Sequence, residues 1–427
     1  MGDADASGHG VPANPGGELS GPRLRPVDAQ WQEHDGQPLL VLRDRLGLAE
    51  HVVAVPPAVA LLLSLCDGTR DLAALCAAFA LRTGMPVSQE ELRVLLDQLD
   101  AALLLEGPRV EAARATALAA YRRAPARAPA LAGAVYPADP AELGAVCRVY
   151  IERGTALEPP PELAAEAPDT IRGVVSPHID YQRGGPVYGR VWPLARAAAA
   201  EAELVIALGT DHAGSAGAWT LTAQQYATPW GVLPTEGHIV DALAEIFGAA
   251  AFAEELHHRG EHSLELALVW LHHVRGGRAV PVVPIVLGSF HEFAQGVGDP
   301  ADDARYAAAL EVLRAVMATR QTLVVVGADL AHVGPAFGDA VAFGPVERGR
   351  VRDGDVASLR ALCAGDAAAF LGTLRAEADA RRVCGLPPIY FALRLLAPTR
   401  GVVVAYDQCP ADGQGASWVS IAGALLA

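Results

Sequence analysis

The chain has 427 residues, of which 33 are basic and 49 are acidic, so its formal net charge is -16. This length predicts two or three domains, and the acidic balance disfavours nucleic-acid binding, which usually needs a basic face. Every basic residue is arginine, which excludes a Schiff-base lysine, a pyridoxal-phosphate anchor and a P-loop lysine. Hydrophobic residues make up 52% of the chain, which is ample for a buried core.

The six cysteines include no C-x-x-C pair and are too few for a disulfide scaffold, which indicates a reduced compartment. Residues 1–22 are rich in Gly, Pro and Ser and lack an apolar core, so we expect a flexible start rather than a signal peptide. No apolar run approaches the roughly 18 residues of a membrane helix. These features predict a cytoplasmic protein with no membrane partner.

A small α+β module is predicted over residues 23–110. Strands at residues 38–43 and 51–55 form a hairpin. A helix at residues 57–66, a second ending before Gly84, and a third starting with a Ser88–Glu91 capping box follow. A wing strand at residues 103–109 would complete a winged helix.

The hairpin, the Leu65–Thr69 turn and the Leu-rich third helix resemble those of PqqD-like domains, which implies peptide recognition. A dimerisation or packing role fits the same pattern equally well. DNA binding is disfavoured, because residues 23–110 contain eight arginines against twelve acidic residues.

A different pattern follows a predicted interdomain linker at residues 111–130, where Pro125 and Pro129 interrupt an Ala/Arg-rich stretch. From residue 131 to 427, strongly apolar runs alternate with Ala/Leu-rich helices. Strands of this kind are buried on both faces, so we predict an α/β fold with a central sheet between helices. The predicted strands are residues 171–175, 204–209, 280–288, 322–327 and 401–406.

Histidines follow three of these strands: His178, His212 and His332. Ligands bind beyond the carboxyl ends of strands in open α/β sheets, so we expect the three side chains to lie together. Imidazole is the commonest metal ligand and a proton shuttle near neutral pH.

Two further segments carry candidate residues. Cys384 precedes a helix that starts with Pro387, and the helix amides would lower its pKa and favour the thiolate; an inert core thiol is the alternative. Glu261 and His262 stand at a helix entry and serve either a pocket or an ordinary cap. The other nearby histidines are predicted to be solvated: His257, His258, His272 and His273.

Together these segments resemble the Memo family, also called AmmeMemoRadiSam system protein B. The resemblance runs from Ala132 to the carboxyl terminus. Many members have Ala-Gly where this chain has Ile179-Asp180, and Pro-Ser where it has Thr210-Asp211. Six ordered motifs carry it: Pro177-His178, Gly209-Thr210-Asp211-His212, Glu261-His262-Ser263-x-Glu265, Asp329-x-x-His332, Cys384-Gly385-x-x-Pro388-Ile389 and Ser417-x-Val419-Ser420.

The resemblance implies a fold similar to class III extradiol dioxygenases, which use non-haem Fe(II). It places the metal ligands on His178, His212 and Cys384, an acid/base role on His332, and Asp329 beside it. Fe(II) is the expected metal, with Cu(I) or Zn(II) as alternatives because a thiolate is softer than a carboxylate. Further pocket candidates are Asp180, Tyr181, Asp211, Glu261 and His262.

Three functions are consistent with these residues. The leading one is an Fe(II)-dependent oxidoreductase or dioxygenase acting on a small molecule or a peptide, with His332 as general acid/base and Asp329 as the catalytic residue that orients it. A non-enzymatic copper- or iron-binding protein or adaptor and a zinc-dependent hydrolase are the alternatives. The family association implies a radical-SAM protein and an AMMECR-type protein of the same system as partners.

Overall fold

A computed structural model describes residues 21–49 and 52–427. It divides into two compact units, Met1–Ala124 and Pro125–Ala427. The predicted flexible start lies, up to residue 20, outside the described residues, and so does His51 at the start of the second predicted strand.

The first unit combines a three-stranded antiparallel sheet with four helices. The sheet has the order β1-β2-β3 and consists of β1 (Asp28–His34), β2 (Gln37–Arg43) and β3 (Val53–Val55). The helices are α1 (Pro57–Leu65), α2 (Leu72–Thr83), α3 (Gln89–Ala101) and α4 (Pro108–Arg123). Buried leucines form the core of this unit, among them Leu42, Leu62, Leu75, Leu92 and Leu99.

Local signals set the ends of two of these helices. The Ser88 hydroxyl accepts a hydrogen bond from the backbone N–H of Glu91, and the Glu91 carboxylate accepts one from the Ser88 N–H, which is the predicted capping box. Gly84 ends α2 with a φ of 71°, a conformation that favours glycine. The apolar pattern does not reveal β1, because all seven of its residues are exposed.

The predicted wing strand at residues 103–109 is wrong. Leu103 has a φ of 59°, outside the β region, and Leu105 makes only a single bridge, to Leu24. Pro108 then begins α4. Most of the predicted linker is likewise helical, since α4 extends to Arg123 and residues from Pro125 onward belong to the second unit.

The second unit is an α/β domain. Its helices are α5 (Pro140–Gly154), α6 (Tyr181–Leu194), α7 (Arg196–Glu201), α8 (Gly237–Phe247), α9 (His262–Val274), α10 (His291–Ala294), α11 (Ala304–Met317), α12 (Pro345–Ala364), α13 (Ala367–Arg375) and α14 (Leu386–Leu396). Its strands are β4 (Gly173–Ser176), β5 (Leu204–Thr210), β6 (Trp219–Leu221), β7 (Tyr226–Thr228), β8 (Gly231–Leu233), β9 (Val282–Leu287), β10 (Thr322–Gly327), β11 (His332–Val333), β12 (Gly401–Pro410) and β13 (Trp418–Leu426).

The main sheet has the order β11-β13-β4-β10-β5-β9-β6, with β12 paired to β13. The four central strands β4, β10, β5 and β9 run parallel, whereas β6 and β13 join them antiparallel. Alternate residues of β5 enter opposite cores: Ile206 packs in the layer of α8, α11 and α14, and Val205 in the layer of α5, α6 and α9. The predicted central sheet between helices is therefore confirmed for this unit.

Within residues 21–49 and 52–427, no helix has both the length and the apolar composition needed to cross a membrane.

Candidate metal centre

The parallel strands bring the predicted histidines to one edge of the sheet. Ser176 of β4 pairs with Gly327 of β10, and Leu208 of β5 pairs with Val326, so the loops after these strands start side by side. His178 and His212 lie on two of these loops, and Asp329 lies on the third. Cys384 reaches the same place from the loop before α14.

One donor atom each from His178, His212 and Cys384 lies within 4.8 Å of the other two. Nε2 of His178 is 3.2 Å from Sγ of Cys384, and the two imidazole rings meet edge to face with centroids 5.0 Å apart. Nitrogen and sulfur ligands of one ion lie at such separations, because metal–ligand bonds are about 2.0–2.3 Å long. The three residues therefore form a group that could hold a metal ion.

Hydrogen bonds at Nδ1 decide which nitrogen each imidazole presents. Nδ1 of His178 lies 3.0 Å from the carbonyl oxygen of Gly327, which can only accept, so this nitrogen carries the proton. Nδ1 of His212 lies 3.1 Å from both carboxylate oxygens of Glu261. Both rings thus keep Nε2 for a ligand, and such acceptors behind metal-bound histidines increase ligand basicity.

The two imidazoles differ in pKa, because neighbouring charge adds to the effect of burial at His178 and outweighs it at His212. Burial lowers the pKa of His178 to about 3, and positive charge on His212 adds to this effect. Burial also opposes protonation of His212, but the carboxylate of Glu261 and the sulfur of Cys384 overcome it and raise the pKa of His212 well above its ordinary value. His178 is therefore a neutral donor at neutral pH, as a metal ligand must be.

Cys384 is held in place through its backbone. Its carbonyl accepts a hydrogen bond of 2.9 Å from the Thr210 hydroxyl, and the next residue, Gly385, donates its N–H to the carbonyl of Asp329 at 3.0 Å. A Cβ at Gly385 would lie only 2.4 Å from that carbonyl oxygen, which explains why glycine follows the cysteine. Burial raises the pKa of the Cys384 thiol, although a hydrogen bond with His212 opposes the rise. The expectation that helix amides lower the pKa of Cys384 is therefore wrong, because burial outweighs them.

Asp329 contacts His178 directly and acts on His332 through its charge. Its Oδ1 accepts the backbone N–H of His178 at 2.8 Å, and its Oδ2 lies 3.7 Å from Nε2 of the same histidine. The ring of His332 is instead held by the carbonyl of Leu330, 3.1 Å from Nδ1. Burial lowers the pKa of His332 to about 4, so this imidazole is neutral at neutral pH.

A buried ion pair, not evident from the sequence, stabilises the loop between α13 and α14, which carries Cys384. Arg381 is ion-paired with Asp355 of α12, and both side chains are almost fully buried. The backbone carbonyl of Arg381 accepts the His332 N–H at 2.8 Å, and the Arg382 side chain donates to the His332 carbonyl at 3.0 Å. In the sequence, only the presence of Arg381 and Arg382 shortly before Cys384 could have indicated this ion pair.

Glu261 and His262 lie at the site and not merely in a helix cap. Glu261 accepts N–H hydrogen bonds from Ser263 at 2.8 Å and His212 at 3.1 Å, while Nδ1 of His262 lies 3.2 Å from its carboxylate. The rings of His262 and His212 stack with centroids 4.6 Å apart. The Glu261 carboxylate therefore both caps α9 and supports His212.

The loop that carries Glu261 is itself anchored by a buried arginine from the predicted linker. Arg127 forms an ion pair with Glu265, and both side chains are at most 1% exposed. The guanidinium also donates to the carbonyls of His258 and Glu261, each at 2.8 Å. Glu265 in addition accepts the Leu131 N–H at 2.9 Å. In the sequence, the position of Glu265 within an apolar helix indicates that this carboxylate needs a buried partner.

A cleft of about 390 Å³ opens at His178 and His212. It is lined by His178, His212, His262, Asp329 and His332, by Asp180 and Arg183, and by apolar side chains that include Leu131, Val135, Leu266, Phe337 and Val419. The site can therefore accommodate a mainly apolar ligand next to a row of imidazoles.

The remaining pocket candidates have different positions. Asp180 lines the cleft and pairs with Arg183 at the start of α6. Tyr181 does not line the cleft: it is buried in the core and donates its hydroxyl to the carbonyl of Leu266 at 2.7 Å. Asp211 is buried and faces His257, with Nδ1 2.9 Å from its carboxylate.

The prediction that four histidines are solvated is wrong for His257, His258 and His272, and His273 is half-buried against Trp230 and Trp270. His258 and His272 are 0% and 1% exposed, and both hydrogen-bond through their rings, to Tyr226 and Thr228 respectively. His257 pairs with Asp211, and its side chain is only 11% exposed. Hydrogen-bond partners from distant parts of the chain offset the cost of burying these imidazoles. A local sequence pattern cannot show such partners.

Comparison with known proteins identifies the family of this chain. A family model described as Memo-like protein matches residues 127–425. The chain belongs to the Memo-like family. It is 27% identical over 315 residues to a MEMO1 family protein of Aquifex aeolicus, a match that covers 73% of this chain and 76% of that relative. It is 31% identical over 215 residues to a MEMO1 family protein of Methanopyrus kandleri, covering 49% of this chain and 70% of that relative.

The predicted Memo resemblance is thus confirmed, and the Memo match begins with the buried Arg127. The first unit lies outside that match, so its PqqD-like resemblance stays a prediction.

Proposed function

We propose that the Memo domain binds a metal ion through His178, His212 and Cys384 and acts as a non-haem Fe(II)-dependent oxidoreductase. The observation that carries this proposal is the convergence of three donor atoms from three chain segments within 4.8 Å, at the wall of a cleft. Two neutral imidazoles and one thiolate would give an Fe(II) site a net charge of about +1 with open positions. Bound there, ferrous iron would supply one-electron and dioxygen chemistry.

The chain's own residues would prepare the site and manage protons. Glu261 orients His212, and Asp329 fixes the backbone of His178. His332 borders the cleft with Nε2 left over after its Nδ1 bond to Leu330. A neutral imidazole so placed would accept a proton from a bound substrate.

The substrate would have an apolar body that packs on the cleft walls, as either a small molecule or a peptide. Delivery of a peptide by the first unit, and cooperation with a radical-SAM protein and an AMMECR-type protein, are part of the same proposal and rest on family association. Copper binding without turnover is the second candidate, because the sulfur donor suits Cu(I) and is itself oxidisable.

Nitric oxide can test for iron with an open coordination position. Metal-stripped protein is reconstituted anaerobically with Fe(II), Cu(I) or Zn(II), bound metal is counted, and the Fe(II) sample is exposed to nitric oxide. We expect at least one Fe(II) per chain and the electron paramagnetic resonance signal of a ferrous nitrosyl species. Failure to retain Fe(II), with Cu(I) bound tightly, would support the copper-binding alternative, and retention of Zn(II) alone would support hydrolysis.

The variant His332→Ala separates proton transfer from metal binding. It should retain Fe(II) and the nitrosyl signal but lose any oxygen consumption that the wild-type protein shows with a substrate. Loss of iron from this variant would instead make His332 a ligand.

A further inference from the structure

A second group of residues that could hold a metal ion includes Asp211, which directly precedes His212 in the chain. Asp211, Glu254 and His257 place one ligand atom each within 4.8 Å of the others. Asp211 follows β5, whereas Glu254 and His257 lie in the segment between α8 and α9. Neither Glu254 nor His257 lines the cleft, so this group is separate from the candidate metal centre.

Its distances suit one ion. Nδ1 of His257 lies 2.9 and 3.0 Å from the two oxygens of Asp211. Ligands that bind one ion at right angles, with bonds of about 2.1 Å, are about 3 Å apart. A Cβ at Gly214 would lie 2.6 Å from the Asp211 carboxylate, so glycine at this position allows the loop backbone to pass close to that carboxylate.

The charges favour a cation as well. The Asp211 side chain is fully buried, and Glu254, held by the N–H and hydroxyl of Ser215 at 3.0 and 2.7 Å, brings a second carboxylate to it. A protonated His257 would offset only one of these two negative charges. Two neighbouring carboxylates, one of them fully buried, are costly unless a cation lies beside them, and a divalent ion would neutralise both.

We propose that Asp211, Glu254 and His257 bind a second divalent transition-metal ion, which braces the loop bearing His212. Two carboxylates and one imidazole form a harder donor set than two imidazoles and a thiolate, so Mn(II), Fe(II), Co(II) or Zn(II) would suit this group. Glu254 is only partly buried, which leaves a route for the ion and room for water to complete its coordination. The proposal is independent of turnover at the first site.

Cobalt distinguishes the two sites, because only a Co(II)–thiolate bond gives an intense near-ultraviolet charge-transfer band. Metal-stripped full-length protein is titrated anaerobically with Co(II), and bound cobalt is counted after gel filtration. We expect two equivalents in the wild-type protein, of which one produces the band. Cys384→Ser should keep one equivalent and show no band. A wild-type protein that binds a single equivalent overturns the proposal.

Two variants in the second group and one control complete the experiment. His257→Gln and Glu254→Gln should each weaken the band-free equivalent by at least about tenfold and keep the thiolate band. His238→Gln, an exposed histidine on α8, should retain both equivalents. Because Glu254 is partly exposed, its variant tests the site even if His257→Gln is poorly folded. The proposal also fails if both variants keep the second equivalent, or if they abolish the thiolate band instead.

Discussion

Cys384 supplies the only sulfur to the candidate metal centre, and its place between His178 and Asp329 sets a polar environment around it. Cys147 provides the contrast, because it is fully buried among apolar side chains of α5 and α6, and burial raises its pKa to about 12. One thiol is thus surrounded by hydrogen-bonding groups, and the other is a small hydrophobic residue of the core.

The two cysteines should respond oppositely to replacement by serine. Cys384→Ser should lose more than about 100-fold in metal affinity, while its free energy of unfolding without metal changes by less than about 1 kcal/mol. Cys147→Ser should keep its metal affinity but lose about 1–3 kcal/mol of stability, since it buries a hydroxyl in an apolar layer. Metal titration and urea unfolding of both variants check this. Full metal retention in Cys384→Ser would remove the sulfur from the site.

Helix α12 and the loop before α14 meet through the buried pair of Asp355 and Arg381. Asp355 also accepts a hydrogen bond of 2.9 Å from the Tyr406 hydroxyl of β12. The pair therefore joins a helix, a strand of the sheet and the loop that positions His332 and Cys384. The same helix carries Arg352, whose ion pair with Glu162 is partly exposed.

These two arginines of similar charge should differ greatly in their effect on stability. Arg381→Met should lower the free energy of unfolding by about 3–5 kcal/mol, because Asp355 is left buried without its partner. Arg352→Met should change it by less than about 1 kcal/mol, since water screens the exposed pair. Urea unfolding followed by tryptophan fluorescence measures both. Equal effects would show that the buried pair has no special structural role.

The elements also show how far the sequence determines this fold. The predicted strands in the second unit correspond to β4, β5, β9, β10 and β12, because their continuous apolar runs reflect burial on both faces. The sequence does not predict β13, because the small Ala and Gly residues at positions 422–424 lower its β-propensity. Pairing with β4 and β12 compensates for this low propensity.

Among site residues, the histidines and Cys384 are predictable because they follow strands or precede a helix. Arg127, Arg381 and His257 are not, because each depends on a buried partner distant in the sequence. Ion pairs between residues distant in the sequence leave no local pattern. The residues that hold the site in place can therefore be identified only in the folded structure.

The boundary between the two units falls at Ala124 and Pro125, in the second half of the predicted linker. Residues just beyond that boundary are structural parts of the second unit. Arg127 donates its backbone N–H to the carbonyl of Gln225 at 2.7 Å, and its guanidinium neutralises Glu265. Leu131 lines the cleft. The exact point of cleavage in this segment should therefore matter.

Two truncated proteins that differ by six residues test this. The piece 125–427 keeps Arg127, so it should fold by itself and bind the same number of metal ions as the full chain. The piece 131–427 leaves Glu265 buried without its cation, and should lose about 3–5 kcal/mol of stability and much of its metal affinity, because Glu261 and its loop lose their anchor. Thermal unfolding and metal titration compare the two pieces. If both behave alike, Arg127 contributes nothing to the site; if 125–427 fails to fold, the second unit depends on the first.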